Sequence, residues 1–310
     1  MIHSVWYAMI QVIVPISVPV LAGVLLVRFR GLEPTHLLNV VFYFLLPALI
    51  FTNLYATQLS FTELVNIAIF FLLNSFFLWL TALVVGIAFR LPNPERAGLT
   101  LVATLTNSAN YGLPLILLAF GQIGMEKASV YVIIQIIFSN TMGVYFAARS
   151  NSSVKPAIGA IFKLPAIYAA ALAVLLRLTG FHLPVGLETG VSMAALAHPP
   201  VMLVVLGTQM ARINRNALEK EHKITFWSGM GIRTLLSPLL AFLALYILGI
   251  DGMFFSVLLI LASMPVAVNA GLLAEKFGAS PNIVSKCILW TTLASFIVLP
   301  ILISLTTSST

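Results

Sequence analysis

The residues at 106–114 read TNSANYGLP and stand in the middle of an apolar segment. An intact helix does not pass through them without cost. Glycine destabilises a helix interior, and proline removes a main-chain donor and clashes with the preceding turn. The amides of Asn107 and Asn110 would lie where no water solvates them. A bilayer tolerates such an interruption only where the backbone is buried in protein or lines a polar cavity. A second stretch, SMPVAVNAG at 263–271, has the same character. Both predict helices that unwind at mid-depth.

The bilayer itself follows from what the chain lacks. Of its 310 residues, 60% are hydrophobic and 8% are charged, whereas soluble domains carry roughly 25% charged residues. So few charges cannot cover a globule of this size. The net charge of +7 does not argue for nucleic acid, because the basic residues fall in short gaps between apolar runs. The single Cys287 excludes an intrachain disulfide and a cysteine-based metal cluster. No Lys or Arg precedes the first apolar run, which makes 1–4 a poor signal-peptide start and predicts a retained helix.

A span needs about 20 apolar residues. Ten candidates are expected, at 5–27, 37–55, 64–89, 97–120, 129–148, 157–178, 189–210, 226–248, 252–274 and 283–305. The longest polar gap, ARINRNALEKEHK at 211–223, is a loop and not a domain. Ten spans place fourteen of the sixteen Lys and Arg residues on one side, leaving only Lys127 and Arg177 on the other. Arg233 counts with the basic side, just inside the eighth span. This is the positive-inside pattern of a multi-pass protein of the cytoplasmic (inner) membrane, and it puts both termini outside.

The chain repeats itself. Pro47 and Pro114 lie 67 residues apart, and Pro199 and Pro265 lie 66 apart. Phe-Gly follows each break, at Phe120-Gly121 and Phe277-Gly278. Five spans per half is odd, so halves at about 1–150 and 156–310 must be inverted relative to each other. Inverted repeats with interrupted helices in matching positions point to a secondary transporter with its site near the midplane.

TNSANYGLP with the following LILLAFG, and ASMPVAVNAGLLAEKFGASPNIVSK at 262–286, resemble the auxin efflux carrier (PIN-type) family, and within it the short prokaryotic members. Lys163 to Tyr168 (KLPAIY) looks like a worn form of the family's Asn-Pro element, and the stretch from Met202 to Gly207 resembles its apolar Leu-Gly run. The resemblance implies an all-α membrane protein of ten transmembrane helices, similar to bile-acid and sodium–proton transporters. Helices 4 and 9 would cross at their unwound middles. Helices 1, 2, 6 and 7 would form a scaffold and homodimer interface, and helices 3–5 and 8–10 a transport unit moving as an elevator. It further implies that the whole chain is one transporter domain carrying small organic carboxylates, such as auxin-like weak acids or malonate. No enzymatic activity is expected, since HExxH, paired intramembrane Asp and GxSxG signatures are missing. A transporter-like sensor that binds an organic acid is the alternative.

Each broken helix leaves free amides at the start of its second half, where the dipole carries roughly half a positive charge. Two such ends would hold an anion without a buried Lys or Arg. The substrate-binding candidates are therefore Asn107, Asn110, Gly112, Pro114, Pro265 and Asn269, with the free amides expected near 112–115 and 267–271. Asn107 falls on an Asn that the family uses for substrate. His198 joins them as the one ionisable group near a span centre. A coupling ion, Na+ or H+, would draw on Ser108, Gln135, Asn140, Ser263, Thr291 and Ser295, with Ser139 and Thr292 beside them. No cofactor, metal or nucleic acid is expected; the partners are the small anion, the lipid bilayer and a second copy of the chain.

Overall fold

The computed structural model describes Trp6 and residues 9–57, 59–149, 165–212 and 222–307. Their helices are α1 (Met9–Arg30), α2 (Pro34–Ala56), α3 (Phe61–Ala88), α4 (Asn93–Thr104), α5 (Ser108–Ala148), α6 (Pro165–Thr179), α7 (Val185–Arg212), α8 (Lys223–Ile247), α9 (Gly252–Ala262), α10 (Val268–Phe277) and α11 (Pro281–Thr307). Among the described residues there is no strand beyond a one-residue bridge. The start of the expected sixth span, 157–164, with Lys163 and Leu164, lies outside the described residues, as does most of the 211–223 loop.

Helix ends follow local chemistry. Ser60 and Glu63 form a capping box that starts α3. Gly31 and Gly278 end α1 and α10 in the left-handed conformation.

Among the described residues, seven helices are long and apolar enough to cross a bilayer: α1, α2, α3, α5, α7, α8 and α11. The helices of the two breaks, α4, α9 and α10, fall short because each is only half of a run. α5 has the opposite character. Its 41 residues would reach about 60 Å at 1.5 Å per residue, twice the ~30 Å hydrocarbon core. Gly121 resolves this by leaving helical geometry at φ 64°, ψ −160°. The chain thus has two limbs, α5a (108–120) and α5b (122–148).

Contacts sort the connections into two ends of the bundle. At one end, just past Gly121, Thr57 donates to Glu126 at 3.3 Å and Lys127 pairs with Glu63 at 3.2 Å. There too Tyr55 Oη donates to Phe181 O and accepts from Leu183 N–H. At the other end Arg212 lies 3.7 Å from Glu33, and His222 and Thr225 hold Glu95. Most basic residues of the described chain gather at this second end, Lys127 and Arg177 being at the first.

Packing falls into two groups. α1, α2, α6 and α7 pack on one another, and α3, α4, α5 and α8–α11 pack on one another, with α5 and α11 touching both. Asn53 of α2 donates to Ser129 at 2.7 Å and accepts from Gln122 at 3.0 Å, which fastens the first group to α5b.

Within the first group, α1 and α7 meet backbone to backbone. A Cβ on Gly207 would stand 1.9 Å from Val20 O, and one on Gly23 would stand 2.1 Å from Val204 O. Small residues let membrane helices approach this closely. Gly207→Ala must push the helices apart, and overpacking of this kind costs about 1–3 kcal/mol. A fall in the thermal unfolding midpoint in detergent is the expected reading.

Candidate functional site

The two interruptions lie against each other. α4 ends at Thr104, the chain is extended at Leu105, and α5a begins at Ser108. α9 ends at Ala262, and α10 begins at Val268 after an extended Ala267. Thr106 and Val266 form an antiparallel bridge. Asn107 N–H donates to Pro265 O at 2.8 Å, and Ala267 N–H donates to Leu105 O at 2.9 Å. Two broken helices thereby satisfy part of each other's main chain, as the absence of water requires.

Side chains complete the clasp. Gln135 Nε2 of α5b donates to both Thr106 O and Thr106 Oγ1. Thr106 Oγ1 lies 2.8 Å from Ser108 Oγ, which donates to Leu261 O at 2.9 Å. One run of hydrogen bonds thus joins α5b, the first break and the end of α9. Thr291 Oγ1 of α11 accepts from Val266 N–H at 3.1 Å.

The positive ends of α5a and α10 remain open. Tyr111 and Gly112 donate their amides to Asn107 O, at 3.1 Å each, so the free donors sit earlier than expected. The N–H groups of Ala109, Asn110, Val268 and Asn269 make no hydrogen bond among the described residues. Asn107, 2% exposed, has a buried Nδ2 without a partner. Asn110 is buried, and Asn269 is half-buried at the start of α10. Gly112 and Pro114 are buried; a Cβ on Gly112 would meet Leu261 at 2.9 Å, so Gly112 allows α5a to close on α9. Pro265 contributes the carbonyl that Asn107 binds.

The negative ends hold the principal correction to the sequence reading. The sequence places Arg233 just inside the eighth span on the basic side, with no Lys or Arg at a span centre and none needed in the site, yet Arg233 is 1% exposed. α8 starts at Lys223, so Arg233 lies ten residues, or about 15 Å, into the helix. Its Nη1 donates to Ala103 O at 2.7 Å, and its Nη2 donates to Ser237 Oγ at 2.7 Å and to Ala262 O. Ala103 and Ala262 close the last turns of α4 and α9, the first halves of both broken helices. One guanidinium therefore bridges both carbonyl ends, where each dipole carries roughly half a negative charge. The planar fork makes this possible. An Arg ten residues inside an apolar 25-residue run was the available signal.

The remaining candidates are dispersed. Ser263, Ser295 and Asn140 back-bond to Leu259 O, Thr292 O and Ile136 O of their own helices, and Thr291 also donates to Cys287 O. Gln135 keeps a buried Oε1 without a partner. His198 is buried beside the double proline of α7, with Nδ1 unpartnered. α7 packs against 108–112, but no hydrogen bond links His198 to either break. No group of His, Cys, Asp and Glu suited to a metal ion occurs among the described residues.

A cavity of about 450 Å³ leads inward from the basic end. It runs between α2 and α7 on one side and α10 and α11 on the other, and its walls include Leu38, Gln209, Arg212, Val268, Gly271 and Glu275. It reaches the open amide end of α10.

A multi-pass helical membrane protein with two paired helix breaks is a transporter scaffold, and the comparisons agree. A family model described as a membrane transport protein matches residues 7–303. The chain belongs to this family, that of the auxin efflux carriers. It is similar to an uncharacterized transporter of Methanothermobacter thermautotrophicus, with 29% identity over 297 residues, covering 94% of this chain and 96% of the relative. It is also similar to an uncharacterized transporter of Methanocaldococcus jannaschii, with 25% identity over 304 residues, covering 93% and 96%.

Proposed function

We propose that the protein is a secondary active carrier of small organic anions with carboxylate groups. The observation that carries this reading is the pairing of the two breaks at Thr106 and Val266. It brings the open amide ends of α5a and α10 to one place, beside the partnerless Nδ2 of Asn107. A carboxylate there meets two positive dipole ends and side-chain amides that donate hydrogen bonds. Asn107, Asn110 and Asn269 orient it. Arg233 neutralises the opposing carbonyl ends, so the anion does not face them uncompensated.

The transport cycle we infer uses ten membrane passages in two inverted halves, with α4–α5a and α9–α10 each forming one interrupted passage. α1, α2, α6 and α7 stand as the scaffold, and the other helices move against it as an elevator. The division of packing into these two groups supports this reading, and the cavity from the basic end supports a site open toward the cytoplasm. The coupling ion draws on Gln135 Oε1 and the hydroxyls of Thr106 and Ser108, and a homodimer forms through the scaffold.

Purified protein in liposomes tests the proposal. Labelled malonate, other dicarboxylates and indole-3-acetate are offered under sodium, proton and counter-substrate gradients. Accumulation of at least one acid well above protein-free vesicles is expected. No movement of any of them under any gradient sinks the carrier reading, and ligand-induced stabilisation without transport favours a sensor instead.

A further inference from the structure

A second site with anion chemistry lies away from the breaks, on the outer surface of α3 and α5b. At the basic end of the bundle a cleft of about 200 Å³ is walled by Trp79, Asn93, Arg96, Thr100, Phe146 and Arg149. It is contiguous with an open apolar groove of about 310 Å³, which shares Trp79, Phe146 and Arg149 and continues along Leu72, Phe76 and Met142. Leu72, Phe76 and Met142 are exposed to whatever surrounds the bundle, which in a membrane is acyl chain.

The head of this groove carries two guanidinium groups. The stem of Arg96 lies across Gly86 of α3, where a Cβ would stand 3.1 Å from Arg96 Cγ. Its Nε is buried without a partner. Arg149 lies 5.9 Å from the centre of the Tyr145 ring. Neither arginine has an ion pair among the described residues. The adjacent Glu95 does not serve them, because its carboxylate is held by Thr225 and His222. Two arginines that share a cleft and have no ion pair among the described residues suit an anion with several acceptor oxygens. The apolar groove running from them calls for a hydrocarbon chain.

We propose that this groove is a binding site for an anionic phospholipid of the basic-side leaflet, its phosphate between Arg96 and Arg149 and an acyl chain along Leu72, Phe76 and Met142. Basic pockets at that side of membrane proteins suit anionic headgroups. The amphiphile matches both halves of the site, whereas a free phosphate matches only the head. The inference is independent of what the protein carries.

The test is thermal unfolding of protein delipidated in a neutral detergent, with native mass spectrometry counting retained lipid. Dioleoyl phosphatidylglycerol is expected to raise the unfolding midpoint and to remain bound. Dioleoyl phosphatidylcholine and sodium phosphate at equal concentration are expected to do neither. Arg149→Gln, an exposed position, should cut the phosphatidylglycerol shift by half or more, and Arg96→Gln with Arg149→Gln should remove it. Phe76→Ala, also exposed, should weaken retention while leaving the arginines in place. Equal shifts with phosphatidylcholine, or an undiminished shift in Arg149→Gln and in Phe76→Ala, overturn the assignment. A full response to sodium phosphate alone overturns the lipid and leaves an ion site.

Discussion

Arg233→Leu is expected to weaken binding of the proposed organic anion by at least about tenfold while lowering stability by only about 1–3 kcal/mol. The two effects have different sources. Ala103 O accepts from Arg233 Nη1, and Ala262 O accepts from Arg233 and from Ser237 Oγ. Leucine leaves Ala262 with Ser237 but strands Ala103 O, and a stranded buried acceptor costs about 1–3 kcal/mol. Removing a buried charge recovers some desolvation energy, which keeps the net loss small. The anion feels a different change. Opposite unit charges attract by about 4 kcal/mol at ~4 Å and an effective dielectric of ~20, falling inversely with distance, and 1.4 kcal/mol is about tenfold in affinity. With the guanidinium gone, the two carbonyl ends also stand uncompensated beside the site. Arg233→Lys separates charge from shape: it keeps the charge but cannot bridge two carbonyls with a fork, so affinity should recover further than stability. Equilibrium binding and thermal unfolding on the same preparations check this. An Arg233→Leu protein that binds and transports like the wild type removes the dipole-balancing role.

The breaks were legible because proline, glycine and asparagine have no inexpensive place in an apolar helix. Pro114 and Pro265, each beside Asn and Gly, announced them. The pairing of Thr106 with Val266 was not legible, since an extended pair of residues leaves no periodicity. Arg233 was misread for a reason of geometry. The hydropathy window placed the start of its helix three residues late, and a count of basic residues by side ignores where a long side chain ends. The hydroxyl candidates show the opposite limit. Ser263, Ser295 and Thr291 satisfy carbonyls of their own helices, a use of Ser and Thr that looks the same in sequence as a ligand. Gln135 escaped this ambiguity only through its position opposite Thr106.

The amides also moved in register. Free donors are expected near 112–115, around Pro114, but the wide first turn of α5a lets Tyr111 and Gly112 both donate to Asn107 O. The open end is therefore at Ala109 and Asn110, next to Asn107 itself. The shift puts the free amides beside the side-chain amides of Asn107 and Asn110, while Gly112 packs against Leu261.

Asn107→Ala is expected to lose most transport with almost no loss of stability. The physical ground is the buried Nδ2, which has no partner among the described residues. Deleting a donor that is already unsatisfied removes a penalty rather than a bond, so the unfolding midpoint should stay within about 1 kcal/mol of the wild type, or rise. A hydrogen bond from that amide to a carboxylate contributes about 1.5–3 kcal/mol, which corresponds to about 10- to 150-fold in apparent affinity. Asn269→Ala, at a half-buried position, should lose less. Asn107→Asp sets a carboxylate against the carried carboxylate and should abolish uptake at neutral pH, where alanine leaves a residue of activity. Uptake into liposomes, measured against substrate concentration for the three variants, ranks them directly. Wild-type uptake by Asn107→Ala would move the site away from the paired breaks, whereas an unfolded Asn107→Ala would make the amide a strut of the break instead of a hand on the substrate.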